Sequence, residues 1–432
     1  MSEIREFADL FDAILKEKNA EKYSYTLVKS EKQELNAESG EFKLMRTVFS
    51  NYTSLKLFRG TRMGNVSGTD LSEEGLRKLA DDGIVAAESA EEDPCNDFGP
   101  DQGKDVFRQG VWEPDIDRFL ERVKELLTTI KTDYPKINVM MAIASFDRHN
   151  WISRNTNGTE FEAFTGSYGL ALEISASDGE KNTGISGTGF DFKDLDTPLI
   201  DCCNVRDTLE KTQNSLNPQT LTGKFEGPVI MTPGCAAQFL SMLAGNYMGS
   251  GVIMEGTSLW LDKVGEQVCS PMLTVSLNSF DERIIVGERG TQDGYRTEDV
   301  TLIDKGVLKA HMLNLYAAKK TGRPMLPNTS FNVVVEPGDK SLSELIASVD
   351  KGLLMGDFSG GYPGTNGEFS GVAKNSFLIE NGKVGPAVME TMVNGNLGEI
   401  FKNIRGISKE QLCDGGMVMP YIAFDGIVIS GK

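Results

Sequence analysis

EFKLMRTVFSNYTSLKLFRGTRMGNVSGT (41–69) is answered 119 residues later by EFEAFTGSYGLALEISASDGEKNTGISGT (160–188). Glu41-Phe42 matches Glu160-Phe161, Gly60 matches Gly179, and Val66-Ser67-Gly68-Thr69 matches Ile185-Ser186-Gly187-Thr188, with no gap. Period-2 patterning reads as strands at 23–29, about 42–49 and 54–58, then again at 137–145, 161–168 and 170–176. A helix precedes each set. The first follows Ser2 and puts Ile4, Phe7, Phe11, Ile14 and Leu15 on one face. The second opens at Pro114 and lines up Ile116, Phe119, Leu120, Val123 and Leu127. Between them, Asp70 caps a helix over 71–90, with Glu73 placed for a capping box. Each copy is thus a helix plus a small antiparallel sheet with one apolar face to bury, on the other copy or on shared helices. Chance likeness between two β-meanders is the competing account, and the constant offset favours duplication.

The segment SLNPQTLTGKFEGP (215–228) is rich in breakers and reads as a boundary. The expected organisation is an α+β domain over 1–215, internally repeated at about 1–110 and 111–200, and a strand-rich domain over 225–432. In the latter, short strands are expected at 228–231, 272–277, 284–286, 300–303, 331–335, 376–380 and 417–423. Helices are expected near 235–247, 309–321 and 341–354, packed on a curved or barrel-like antiparallel sheet.

The 432-residue chain carries 63 acidic and 44 basic side chains, a net charge of −19. Such a surface repels phosphate backbones, which excludes nucleic acid as the expected partner. The densest basic spot, Lys319-Lys320 with Arg323, reads as solvated helix ends. No stretch approaches the roughly 20 apolar residues that span a bilayer, and the N-terminus is a poor signal peptide. The expected location is the cytoplasm. Six cysteines at irregular spacing, with no CxxC, read as reduced thiols rather than a disulfide framework.

Chemistry is scarce in the helix at 236–248. A two-histidine zinc site needs imidazoles one turn apart with a glutamate between them to activate water. This helix offers Ser241, Met242 and Asn246. A hydroxyl and an amide are feeble zinc ligands, and a thioether accepts no proton. From the residues alone, a packed amphipathic helix is the better reading. The only histidines, His149 and His311, lie far apart and read as structural. No nucleophile elbow, Walker loop or dinucleotide fingerprint occurs. The cluster Asp191, Asp194, Asp196 lacks the Gly and distal Glu of a calcium loop and reads as a solvated turn. GDFSGGYPGTNGEFSG (356–371) is the candidate functional loop: its glycines let backbone amides approach an extended peptide, with Gly360, Gly361 and Asn366 as candidate substrate contacts. The competing account is a pair of tight turns signalled by Asn366-Gly367.

Several strings together resemble the TldD/PmbA (TldE) family, some members of which are described as modulators of DNA gyrase. They are SLKLFRGTRMGNVSGTDLSEEGLRKL (54–79), GTSLWLDKVGEQVCS (256–270), DGYRTEDVTLIDKGVLKAHMLNLYAAKKTG (293–322), FSGVAKNSFLIENGKVGPAVMETMVNGNLGEIFKNI (369–404) and LCDGGMVMP (412–420). The resemblance implies a metallopeptidase-like fold whose TldD-type members use HExxxH and a later cysteine for zinc. By position, the histidines fall on Ser241 and Asn246, the general base on Met242 and the cysteine near Cys413. Only the cysteine survives, one residue off in its spacing before Pro420. The resemblance therefore implies a TldE-like subunit, inactive alone and without a metal or cofactor of its own. It would pair as a dimer with a zinc-bearing, TldD-like subunit that hydrolyses peptides or unfolded chains. The alternative is a non-enzymatic peptide-binding or assembly protein acting as a homo-oligomer.

Overall fold

A computed structural model describes residues 2–432. The chain begins α1 (Glu3–Glu17), β1 (Lys22–Glu38), β2 (Glu41–Arg59), β3 (Arg62–Gly68), α2 (Glu73–Ser89) and β4 (Lys104–Gly110). It continues α3 (Ile116–Asp133), β5 (Ile137–Asn155), β6 (Glu160–Ala176), β7 (Ser186–Phe192) and α4 (Val205–Asn214). A helix, three strands and a helix therefore occur twice, as α1-β1-β2-β3-α2 and α3-β5-β6-β7-α4, with β4 between them.

The strands form one seven-stranded sheet in the order β3-β2-β1-β5-β6, and β6 also carries β4 and β7. The two copies meet at the antiparallel β1–β5 pair, where Leu27 faces Ile152 and Leu35 faces Ala144. Alternate residues of each strand point to one face, and the helices pack there. Phe11, Ile14, Tyr25, Leu27, Leu55 and Leu76 make the first core. Leu35, Phe119, Phe146, Leu170, Leu172 and Leu209 make the second. The expected strands at 42–49 and 54–58 are a single 19-residue β2, because pairing with β1 continues through Asn51. The cap of α2 is Ser72, which accepts from Gly75 N at 3.2 Å, while Asp70 accepts from Ser72 N at 2.8 Å.

The second half builds a fourteen-stranded sheet around strand Val418–Ser430. That strand pairs antiparallel with Lys224–Met231, Ile404–Cys413 and Met392–Asn396, and parallel with Val333–Val335. The sheet does not close into a barrel; its path ends at the two-residue strands Val307–Leu308 and Gln219–Thr220. The helix expected over 341–354 ends at Ala347, and Lys351–Met355 is instead a strand parallel to Lys224–Met231, with Leu354 beside Ile230. The helix expected at 309–321 is confined to Leu315–Thr321, capped by Asn314, and 284–286 forms no strand.

The acidic stretch before β4 fastens the two halves together. Asp93 pairs with Lys320 at 2.9 Å and accepts from Tyr316 Oη at 2.8 Å. Asp97 binds Lys319 and, at 2.6 Å, Lys22, while Asp105 binds Arg296. Lys319 and Lys320 are thus exposed helix-end residues, as expected, that also form ion pairs across the seam, and Arg323 pairs with Asp262 at 2.7 Å. Hydrogen bonds from Lys320, Cys95 N and Tyr316 hold the Asp93 carboxyl down to about 2. Among the described residues no helix is long and apolar enough to cross a membrane.

Candidate substrate-binding site

Helix α5 (Pro233–Tyr247) starts where its sequence says it should. Thr232 is the N-cap, accepting from Cys235 N at 3.5 Å and donating to Gly356 O at 2.8 Å, and Pro233 supplies a preset φ. Most of the helix is buried: Cys235, Ala236, Phe239, Leu240, Met242, Leu243 and Tyr247 all belong to the main core. Only Gly234, Gln238, Ser241 and Gly245 are exposed. Their spacing of four, three and four residues makes one stripe along the helix. Three of the four are Gly or Ser, so the stripe is a shallow floor.

A cavity of about 270 Å³ lies over three of the four, Gly234, Gln238 and Ser241. Its floor is Gly234, Gln238, Ser241 and Met248, and its walls come from Val275, Leu277, Phe331, Val333, Met417 and Met419. Polar groups are few; the Gln238 amide is committed to Phe358 O at 3.2 Å. Methionines at 248, 312, 417 and 419 give the lining a soft, polarizable surface that adapts to differently shaped apolar groups. Phe331 stands half exposed at the mouth.

The residues singled out from the sequence point in different directions. In a regular helix, residues five apart lie about 140° apart around the axis. Ser241 lines the cavity, Met242 is packed in the core, and Asn246 donates to Gly364 O at 2.9 Å. Cys413 ends strand Ile404–Cys413, with its thiol 3.3 Å from Arg283 O and accepting from Gly415 N at 3.4 Å. Burial pushes that thiol up, which keeps it protonated at neutral pH. His311 is buried with Nε2 at 3.0 Å from Trp260 O, and His149 Nδ1 lies 2.7 Å from Ser30 Oγ. Burial lowers both histidines, so each is a neutral structural partner. Asp194 accepts from Asp196 N at 3.2 Å in an exposed turn, while Asp191 N donates to Asp414 O at 2.8 Å and so ties the two halves.

The glycine-rich segment is a hairpin, Asp357–Gly360 with Glu368–Lys374, seated against α5. A Cβ on Gly360 or Gly371 would stand 2.5 or 2.6 Å from the Phe358 ring, so the glycines make room for that side chain. Gly367, at φ +83°, would drive a Cβ into Tyr247 Oη. A Cβ added at Gly361 would meet nothing within 4 Å. Asn366 Oδ1 accepts from Glu368 N at 3.1 Å and its carbonyl from Asn396 Nδ2 at 2.7 Å. The fold thus joins Asn246 to this loop, leaves Ser241 in the cavity, and sets Cys413 in neither. Reading residue by residue missed Gln238, Phe331, Met417 and Met419. The spacing of Gly234, Gln238 and Ser241 is a usable signal for the floor, but nothing local announces the walls.

This architecture, with its helix seated in a large open sheet, is that of a metallopeptidase-like family. Residues 222–431 match the model of the PmbA/TldA metallopeptidase C-terminal domain. The Metalloprotease PmbA homolog of Haemophilus influenzae is 24% identical over 392 residues, covering 88% of this chain and 85% of that one. The crystal structure of TldE from Thermococcus kodakarensis superposes with a TM-score of 0.84 at 20% identity, covering 98% of this chain and 100% of that one. A Bacteroides thetaiotaomicron structure named as a modulator of DNA gyrase gives 0.85 at 21% identity, with 100% of both chains covered. The chain belongs to the PmbA/TldD family. A zinc ion of the kind used by metallopeptidases does not fit the donors present. Asn246 is spent on Gly364, Met242 is buried, and among the described residues no three His, Cys, Asp or Glu side chains cluster as a metal site.

Proposed function

We propose that this chain is the metal-free, TldE-like subunit of a cytoplasmic TldD/TldE-type metallopeptidase. It holds part of a peptide or unfolded chain while an HExxxH-bearing, TldD-like subunit supplies zinc and hydrolysis. One observation carries the reading: Gly234, Gln238 and Ser241 of the exposed stripe of α5 open into an apolar, methionine-lined cavity with no proton acceptor beside Ser241. A cavity of about 270 Å³ takes one large apolar side chain, whose burial contributes about 1.5–3 kcal/mol. The hairpin carrying Gly360, Gly361 and Asn366 stands at the other flank of α5, where backbone amides can meet an extended peptide.

The test is co-expression with a TldD-like subunit and cleavage of an unfolded peptide. Filling the cavity by Ser241→Trp is expected to raise KM about tenfold or more while the complex still assembles. Hydrolysis by this chain alone, with stoichiometric zinc, would sink the proposal. The alternative, a non-enzymatic peptide-binding or assembly protein acting as a homo-oligomer, draws its support from an uncovered strand in the first sheet.

A further inference from the structure

A second cavity, of about 220 Å³, lies at the start of α5 between the two halves of the chain. The first half lends it Gly187 and Gly189 of β7 and Asp207, Thr208 and Lys211 of α4. The second half lends it Thr232, Gly234, Asp357, Asp414 and Tyr421. Gly234, the second residue of α5, lines this cavity and the methionine-lined one alike. Glycine within a helix lowers its stability relative to alanine, so its presence calls for a reason. Packing supplies none, because a Cβ added at Gly234 would meet nothing within 4 Å. The space that a side chain would fill is the junction of the two cavities.

The second cavity is polar and acidic where the first is apolar. Three carboxylates and one cation line it. The cation, Lys211, pairs with Asp207 at 2.6 Å. The Asp357 side chain accepts from the Asn375 amide, and Asp414 from Gly416 N at 2.9 Å and Met417 N at 2.8 Å. These donors are neutral, so two negative charges stay uncompensated. The N-terminal end of α5 supplies about half a positive charge and does not cancel them. An anion is therefore repelled and a cation drawn in. Thr208 adds an open acceptor: it is 7% exposed and lines the cavity, and its hydroxyl has no hydrogen-bond partner among the described residues. A buried hydroxyl left unpaired carries a cost that a bound donor removes. Among the described residues no three His, Cys, Asp or Glu side chains converge as metal ligands, so the acceptors suit an ammonium group rather than a metal ion.

We infer that the acidic cavity binds an ammonium group of the same peptide whose apolar side chain fills the methionine-lined cavity, with the backbone between them crossing Gly234. The inference rests on the proposed reading of the apolar cavity as a peptide side-chain site. Asp357 and Asp414 balance the incoming charge, and the Thr208 hydroxyl accepts one ammonium hydrogen. The ammonium is either the α-amino group of the apolar residue or the side chain of a neighbouring lysine.

Fluorescence anisotropy of the full chain with dye-labelled peptides carrying one phenylalanine is the test. One pair compares Phe-Gly-Ser-Gly-Ser with a free and with an acetylated N-terminus. The other compares acetyl-Gly-Lys-Phe-Gly-Ser with the same peptide carrying norleucine for lysine. In at least one pair the ammonium form is expected to bind about tenfold tighter or more, and that pair names the source. The preference is expected to vanish when Asp357→Asn and Asp414→Asn are combined, which keeps shape and acceptor atoms. It is also expected to vanish in Gly234→Leu, whose side chain would stand at the junction. Equal binding of the charged and neutral members of both pairs overturns the inference and leaves the apolar cavity as a side-chain site. So does a preference that survives in either variant. Failure of every phenylalanine peptide to bind overturns the reading of the apolar cavity, and this inference with it.

Discussion

Glu41-Phe42 and Glu160-Phe161 are the same dipeptide at the same place in two copies of one motif, and they meet opposite fates. Phe161 is 1% exposed and Phe42 is 38% exposed. Glu160 is buried and binds Arg5 at 2.6 Å, Arg154 at 2.8 Å and Lys104 at 3.5 Å, whereas Glu41 is exposed and meets only Lys43. Burial by itself pushes the Glu160 carboxyl up, and the three cations overcome it, holding the group below the usual carboxylate range. Nothing in the dipeptide makes this difference. β4 covers the outer edge of the second, whereas the first is paired only on its inner edge, with β1, so the environment across the sheet assigns the role.

The largest effects should come from breaking the covered copy. Phe161→Ala is expected to cost about 3–5 kcal/mol in urea unfolding, and Phe42→Ala under about 0.5 kcal/mol. Equal losses would mean the two edges are covered alike. Glu160→Gln removes the buried carboxylate shared by Arg5, Arg154 and Lys104, while Glu162 still pairs with Arg5 and Asp9 and Asp12 with Arg154, and is expected to cost about 1–2 kcal/mol; Glu41→Gln should be nearly silent in the same titration.

Acid should then loosen the seam beside β4. Lys320, Cys95 N and Tyr316 hold Asp93 at about 2; for Asp97, burial pushes upward and hydrogen bonds from Lys22 and Lys319 bring it below the usual range. A carboxylate depressed on folding lends stability that is complete above its unfolded value near 4 and disappears as pH falls through the folded one. The melting temperature is therefore expected to fall between about pH 4 and about pH 2, and to fall less steeply in a Lys319→Ala, Lys320→Ala variant. A variant with the wild-type slope would remove these pairs from the explanation. A small effect is also expected at the seam from Arg296→Ala, whose half-exposed pair with Asp105 is worth under about 1 kcal/mol by thermal melting.

Legibility followed the range of the interactions. α1, α2 and α3 were readable because their apolar spacing and nearby caps are local signals, and the offset at 41 and 160 exposed the repeated strands. Lys351–Met355 was misread as helix because KGLLM is a short apolar run following a real capping box at Ser341–Glu344. Periodicity cannot separate a buried strand from a helix over five residues; the neighbour Val229–Met231, more than a hundred residues away in sequence, decides it. The same limit hid the cavity. Its floor is written in α5, whereas its walls come from strands near 275, 333 and 418 that no local pattern links.

Sequence alone determined the repeated α+β elements, the helix near 235–247 and the absence of a proton acceptor at Met242, because each depends on residue type or short-range spacing. Tertiary structure decided which copy's edge is covered, where Ser241 points, and that the exposed Lys319 and Lys320 meet carboxylates of the other half. Those outcomes depend on partners remote in the chain, since burial and charge compensation are set by what lies opposite, and chain order does not record it.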